Sequence, residues 1–312
     1  VPRRVALIIN PAAGRGTGRA MGEETRGRLR ANGLEVVEAS GRTWAESEEH
    51  ATAAIRAGVD ALVLVGGDGL VHLGANLVAG SETPMGVVAA GTGNDFARNL
   101  GLPVRDPARA VDLITRGAVR TIDAGRATGP NGEVKWFAGV LGAGFDAVVT
   151  ARAARMRWPR GQMRYNLAIL RELPVFKPIP YVVELDGRRI ETSAMLVAVA
   201  NTSSFGGGMI VCPDADPTDG LFDVLLVRAI SVPAFLRVFP SVYAGAHVSH
   251  PAVEIHRAAR VRLEARSIRS QADGEPFTEL PLDIEVVPRS LRVLTRPTAG
   301  RMDSDEFDTR LR

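Results

Sequence analysis

Cysteine is nearly missing. Cys212 stands alone, so no internal disulfide can form and no thiolate cluster exists to hold zinc. Lysine is almost as scarce, occurring only at Lys135 and Lys177. A P-loop needs GxxxxGK[ST], and without a lysine before Lys135 none is available in the first part of the chain. The five histidines are scattered and show no HExxH spacing. Aromatics make up 5% and are not interleaved with a basic tract, which argues against a nucleic-acid partner. No run of about 18 apolar residues occurs, so no membrane-spanning helix is expected. The opening "VPRRVALIIN" has an apolar run that meets Asn10 and Pro11 and reads as a strand, not a signal peptide. With so little cysteine, a reducing, cytoplasmic setting is expected.

What is present fits an ordinary globular protein: 312 residues, 46% hydrophobic and 23% charged, enough for two domains. The net charge of +3 is carried almost wholly by arginine, which suits anion recognition but also follows from a genome's composition. Residues 5–9, 34–38, 61–65 and 85–89 read as strands, alternating with helices over 18–33, 44–57 and 72–79. That alternation predicts a parallel sheet covered on both faces. Beyond about Thr121, Val-, Leu- and Ile-rich segments bounded by turn residues predict a mostly antiparallel β region, interrupted by helical stretches at 148–173 and 231–246. The expected architecture is an N-terminal doubly wound α/β nucleotide-binding domain over 1–122 and a β-sandwich lipid-substrate domain over 123–289. Residues 290–312 are candidates to rejoin the first.

Three glycine-rich turns, "NPAAGRGTG", "GGDG" and "AAGTGNDFARNLGLP", follow strands at their carboxyl ends. In an open α/β sheet such turns converge on one crevice, where ligands bind. GxGxxG does not follow the first strand in register, so phosphates would have to be held by backbone N–H groups and helix N-termini. A carboxylate among them, Asp68, suits a magnesium ligand or a base for an incoming hydroxyl.

These turns, with "GAGFDA" at 142–147, "NTSSFGGGMIVCPDADPTDGLFDV" at 201–224 and "DGEP" at 273–276, resemble the diacylglycerol kinase catalytic-domain family. That family also takes in sphingosine and ceramide kinases and bacterial lipid kinases. The resemblance runs through nearly the whole chain and implies an ATP- and Mg2+-dependent lipid kinase that phosphorylates the primary hydroxyl of diacylglycerol to give phosphatidic acid. It implies that Asn10, Pro11, Ala12, Ala13 and Gly14, with Gly66, Gly67, Asp68 and Gly69, line the ATP phosphate site. Thr43, Thr92 and Asn94 would lie nearby, and Asp95 beside the acceptor or metal. A structural magnesium would be held by Asp219 with the carbonyls of Asp216 and Leu221. Glu275 matches the family's general base, and Asp68 matches the aspartate given a comparable role in sphingosine kinases.

Many bacterial members read GGDGTxNE, where this chain has Leu70, His72 and Leu73. Leu70 and His72 resemble the sphingosine-kinase version, so a sphingosine-like or other lipid kinase stays open. NAD kinase is a more distant alternative, and a catalytically silent lipid- or nucleotide-binding protein is suggested by Leu73. "PTDGLF" and "QADGEP" also read as plain turns. Arg152, Arg155, Arg157, Arg160 and Arg164, among Met156, Trp158, Met163 and Tyr165, read either as a face for peripheral contact with an anionic membrane or as a solvated helix. A homodimer is left open.

Overall fold

The computed structural model describes residues 3–156, 158, 162–173 and 175–296. Arg157, Arg160 and the end of the chain from 297 lie outside them. In the first half, β1 (Arg4–Ile9), α1 (Thr17–Ala31), β2 (Glu35–Glu38), α2 (Trp44–Arg56), β3 (Ala61–Gly66), α3 (Asp68–Val78) and β4 (Met85–Ala89) alternate, followed by α4 (Asp95–Asn99) and α5 (Pro107–Arg116). The strands pair in parallel in the order β2-β1-β3-β4. Side chains alternate across a strand, so each strand feeds two cores. Ala6, Ile8, Leu62 and Leu64 face one cluster with Ala51, Val71 and Ala75 from α2 and α3. Val5, Leu7, Val63 and Val65 face the other with Leu29, Val111 and Ile114 from α1 and α5. Burial on both faces explains why these strands are continuous apolar runs.

The second half holds β5 (Ala118–Thr128), β6 (Val134–Phe137), β7 (Val140–Gly144), α6 (Phe145–Arg155), α7 (Gln162–Glu172), β8 (Ile179–Leu185) and β9 (Arg188–Ala200). Then come the short β10 (Ser204–Phe205) and β11 (Met209–Ile210), β12 (Phe222–Arg228), α8 (Val232–Val238), β13 (Val253–Ala258), β14 (Arg260–Glu264), β15 (Arg269–Ala272), β16 (Glu275–Glu279) and β17 (Leu282–Thr295). Pairings here are antiparallel. Phe137, Tyr181, Val183, Phe222, Val224 and Leu263 lie in its core.

One strand stitches the halves together. The start of β17 pairs with β14, and its end reaches β4 in parallel at Val293 opposite Met85. Its pairing with β5 breaks register between Val287 and Leu291, opposite Ala124 and Ile122. The bulge brings residues 122–124 of β5 opposite 287–291 of β17. Buried Asp123 fastens it: Oδ1 accepts from Arg289 N at 2.8 Å and Oδ2 from Gly220 N at 2.8 Å.

Two sequence expectations change. The helix expected from His72 begins at Asp68, so the carboxylate is its first residue and not the apex of a free turn. The single helical stretch expected over 148–173 is two helices, α6 and α7.

Candidate active site

Close approach of backbones brings the three glycine turns together. A Cβ on Gly14, which has φ 59°, would lie 2.2 Å from the carbonyl oxygen of Ala90, so the turn after β1 presses on the end of β4. A Cβ on Gly67 would lie 3.1 Å from the Cα of Gly91, joining the turns after β3 and β4. Asn10, Pro11, Ala12 and Ala13 belong to the first of these turns, where Asn10 Oδ1 accepts from Ala12 N at 3.0 Å. Thr43 caps α2, accepting from Glu46 N at 3.1 Å. Thr92 is exposed at the cleft mouth.

Asn94 has a local task. It sits at φ 57°, and its amide grips Gly91 in both directions, accepting from Gly91 N at 2.8 Å and donating to Gly91 O at 2.9 Å. This holds Asn94 N against Asp68 Oδ2, at 2.7 Å, while Phe96 N donates to Asp68 Oδ1 at 3.3 Å. Both ends of β3–α3 and β4–α4 are thus fixed around one carboxylate.

Asp68 and Asp95 crowd each other. A Cβ on Gly93 would lie 2.7 Å from Asp68 Oδ2 and 3.6 Å from Asp95 Oδ2. Burial, then the Asp95 charge, raise the Asp68 carboxyl above the ordinary aspartate range despite its backbone donors. The charges acting on it, Asp95 and more weakly Asp273, are both negative. Asp95 also reaches the second half: Gly207 N and Gly208 N donate to it at 2.6 and 2.7 Å. Asn99, one helical turn on, adds a bond to Ser204 O at 3.2 Å.

Glu275 arrives from that half. A Cβ on Gly69 would lie 2.9 Å from Glu275 Oε1, so the glycine after Asp68 leaves room for this carboxylate. The cleft has a volume of about 490 Å3, with Asp68, Thr92, Gly93, Asp95, Gly207 and Arg164 in its wall. Arg164, whose sequence context reads either as a membrane face or as a solvated helix, lies on α7 in the wall of this cleft. Only its place among arginines was visible in the sequence, and that pattern does not say which one turns inward.

Oxygen donors suit a hard divalent cation. The carboxylates of Asp68 and Asp95 are of that type, and they accept from backbone N–H groups. The loop with Asp216, Asp219 and Leu221 has oxygens of the right type, but those of Asp216 and Asp219 already have partners. Asp219 Oδ2 is paired with Arg257, and its Oδ1 accepts from Leu221 N at 2.9 Å. Asp216 O accepts from Asp219 N at 3.4 Å, and its carboxylate from Thr218 N at 3.0 Å. Arg257 Nε also lies 3.4 Å from Asp223 Oδ1. An ion at Asp219 must therefore share it with a guanidinium. Among the described residues, no group of three or more His, Cys, Asp and Glu side chains is placed to share a metal.

The altered motif letters do not themselves line the cleft. Leu70 is buried in the first core and Leu73 packs against it, while His72 is buried and bonded to Asp273.

Residues 4–127 match the model of the diacylglycerol kinase catalytic domain, and residues 139–295 match the model described as the YegS C-terminal NAD kinase beta sandwich-like domain. Diacylglycerol kinase of Mycobacterium tuberculosis (strain ATCC 25618 / H37Rv) is 41% identical over 298 residues, 95% of this chain and 96% of that one. This chain belongs to the diacylglycerol kinase family. It is a lipid kinase by that membership. Diacylglycerol kinase of Bacillus subtilis (strain 168) is 28% identical over 94% of this chain and 96% of its own. The fold is shared with a crystal structure of a diacylglycerol kinase from Bacillus anthracis str. Sterne, at TM-score 0.70 and 21% identity, covering 95% and 98% of the two chains. It is shared more loosely with an NAD kinase from Archaeoglobus fulgidus in complex with ATP, at TM-score 0.54 and 13% identity over 94% of each.

Proposed function

We propose that this lipid kinase transfers the γ-phosphoryl group of Mg-ATP to the primary hydroxyl of diacylglycerol, giving phosphatidic acid. The observation that carries the reading is the meeting of two unlike cavities at Phe205. One is the polar cleft with Asp68 and Asp95. The other, of about 120 Å3, is walled by apolar side chains including Val140, Phe145, Leu196, Leu225 and Phe235. Phe205 lines both. A molecule with a reacting hydroxyl at one end and an acyl chain at the other matches that sequence of surroundings.

The turns at Gly14, Gly67 and Gly91 offer the phosphates a close backbone approach. Asp68, on the first turn of α3, immediately precedes Gly69, and Glu275 approaches the same glycine; one of these two carboxylates accepts the proton of the attacking hydroxyl. As that oxygen bonds to the γ-phosphorus, the bond to the β–γ bridging oxygen breaks and ADP departs. Asp68 and Asp95 would hold magnesium, which when bound would neutralise charge on the phosphates. Such transfer depends on positioning and charge stabilisation more than on covalent help from the protein. Arg164, in the wall of the same cleft, adds positive charge there.

Among the described residues no helix is long and apolar enough to cross a membrane. A bilayer substrate then requires peripheral contact. Exposed Trp158 and Met163 near α6 and α7 supply apolar surface for it.

The test is single-turnover transfer of labelled phosphate from ATP to diacylglycerol, sphingosine, ceramide and monoacylglycerol in mixed micelles. Diacylglycerol should be phosphorylated fastest. Preference for sphingosine would replace the substrate, and no transfer to any lipid would defeat the reading.

A further inference from the structure

Asp68 and Glu275 stand on segments more than two hundred residues apart in sequence, and Glu275 is exposed. What sets its place is the backbone of the turn between β15 and β16. That turn hangs on Asp273, which sits at φ 52°. Its carboxylate gathers four donors. Oδ1 accepts from Gly139 N at 2.8 Å and Val140 N at 3.1 Å, and Oδ2 from Ala138 N at 3.0 Å. The fourth donor is His72 Nδ1, 3.1 Å from Oδ2. Gly139 is fitted to this arrangement, because a Cβ there would lie 2.9 Å from Asp273 Oδ1.

His72 lies four residues after Asp68 on α3 and is 5% exposed. Residues at this spacing share one face of a helix and keep a fixed separation. The ring orientation is also set. Nε2 faces the Asn76 amide NH2 at 3.3 Å. Asn76 cannot turn over freely, since its Oδ1 accepts from Trp136 N and its Nδ2 donates to Trp136 O, both at 2.9 Å. Asn76 Nδ2 also donates to His72 O at 2.9 Å, so both of its hydrogens go to carbonyl oxygens. The proton on Nδ1 is assigned by Asp273, whose carboxylate can only accept. The buried polar chain thus runs from Trp136 through Asn76 and His72 to Asp273, two residues short of Glu275.

We infer that His72 is a positioning residue: through Asp273 it fixes Glu275 at the correct distance from Asp68. It touches neither substrate nor nucleotide. The inference rests on the proposed function, in which Glu275 and Asp68 serve the reacting hydroxyl. α3 thus carries one carboxylate directly and steers the other through the His72 ring, so that both halves of the site move as one body.

The experiment is a double-mutant cycle between His72→Leu and Glu275→Gln, read by single-turnover lipid phosphorylation, with hydrogen exchange measured over 138–140 and 273–275. His72→Leu should lower the rate about 10- to 100-fold, leave the KM for ATP within about twofold, and speed exchange in both segments. In the Glu275→Gln background the same change should cost less than about threefold, because there is no longer a base to misplace. His72→Asn should recover most of the rate, since its amide nitrogen sits where Nδ1 does. Equal fold-losses in both backgrounds would reduce His72 to a stabilising residue and overturn the inference, as would unchanged exchange in His72→Leu. If His72→Leu does not fold, His72→Gln takes its place in the cycle. Should the parent phosphorylate no lipid alcohol, the proposed function fails, and the exchange measurements alone decide whether His72 holds the Asp273 turn.

Discussion

A Cβ on Gly91 would stand 2.6 Å from the Cα of Gly67, with Asn94 Oδ1 only 2.8 Å away. The turns after β3 and β4 are therefore in backbone contact, and Asn94 locks the arrangement from one side.

Gly91→Ala should force these turns apart, lowering stability by about 1–3 kcal/mol, the usual cost of overpacking. ATP affinity should fall with it, because the phosphates are expected to lie along the same backbone. Gly67→Ala, whose Cβ meets Gly91 Cα at 3.1 Å, should be milder in both respects. Thermal melts and calorimetric titration with Mg-ATP check the order. Parental ATP affinity in both folded variants would remove these turns from the nucleotide site.

Asp68 predicts a trade of stability against activity. Its folded carboxyl is held above the ordinary aspartate range by burial and by Asp95. Between the unfolded and folded pKa the native state binds more protons, so the native protein loses stability as pH rises through that interval. Asp68→Asn removes this charge. In the metal-free protein, the melting temperature of the variant relative to the parent should rise from about pH 4 to pH 7, and lipid phosphorylation should collapse. A difference independent of pH would mean that the Asp68 charge is not under strain in the fold.

Asp219 and Arg257 set metal against guanidinium. Asp219→Ala should lower the melting temperature whether the loop is pinned by an ion or by Arg257. Arg257→Gln separates the cases: with the competing cation gone, added magnesium should raise its melting temperature more than it raises the parent's. If magnesium shifts neither protein, the loop is a turn held by an ion pair.

The parallel half was legible because its cause is local. Residues 5–9 and 61–65 are apolar throughout, as strands buried on both faces must be, and the glycines follow them at the carboxyl ends. The site's carboxylates were legible as residue types in a familiar spacing. Their supports were not. Asp273 reads as a turn residue, and nothing nearby says that it gathers donors from residues 72 and 138–140. Val293 reads as one more apolar residue near the end of β17, although it closes the parallel sheet against Met85. Arg152 reads as one more arginine of a membrane face or a solvated helix, and its pairing with Glu172 is not visible there. Each of these depends on a contact between distant segments, which composition and periodicity do not encode.

Membrane contact should depend on apolar surface as well as charge. Trp158 and Met163 are 77% and 66% exposed, while Arg152 is already paired. Trp158→Ser with Met163→Ser should weaken binding to vesicles containing anionic lipid by about tenfold or more, given the worth of buried apolar side chains. Phosphorylation of detergent-dispersed diacylglycerol should be unaffected. Salt should weaken the remaining binding if exposed arginines contribute, because their attraction is screened over about 8 Å at physiological ionic strength. Equal loss in vesicles and detergent would assign these residues to the fold or the substrate path.

The two carboxylates beside Gly69 make the most direct test of the chemistry. If Glu275 is the base, Glu275→Gln should cost about 10²- to 10⁴-fold in the transfer step while ATP still binds. Asp68→Asn keeps the shape of the residue at the start of α3 but removes a charge that faces Asp95, so its loss should be of similar size for a different reason. If that reason is poor metal organisation, raising magnesium should partly restore Asp68→Asn and leave Glu275→Gln unchanged. If Asp68 is itself the base, magnesium should rescue neither, and Asp68→Asn should show the larger loss. Single-turnover phosphorylation of diacylglycerol over a magnesium series separates these outcomes. Near-parental rates in both variants would show that neither carboxylate handles the hydroxyl proton, and would move the reacting centre away from Gly69 altogether.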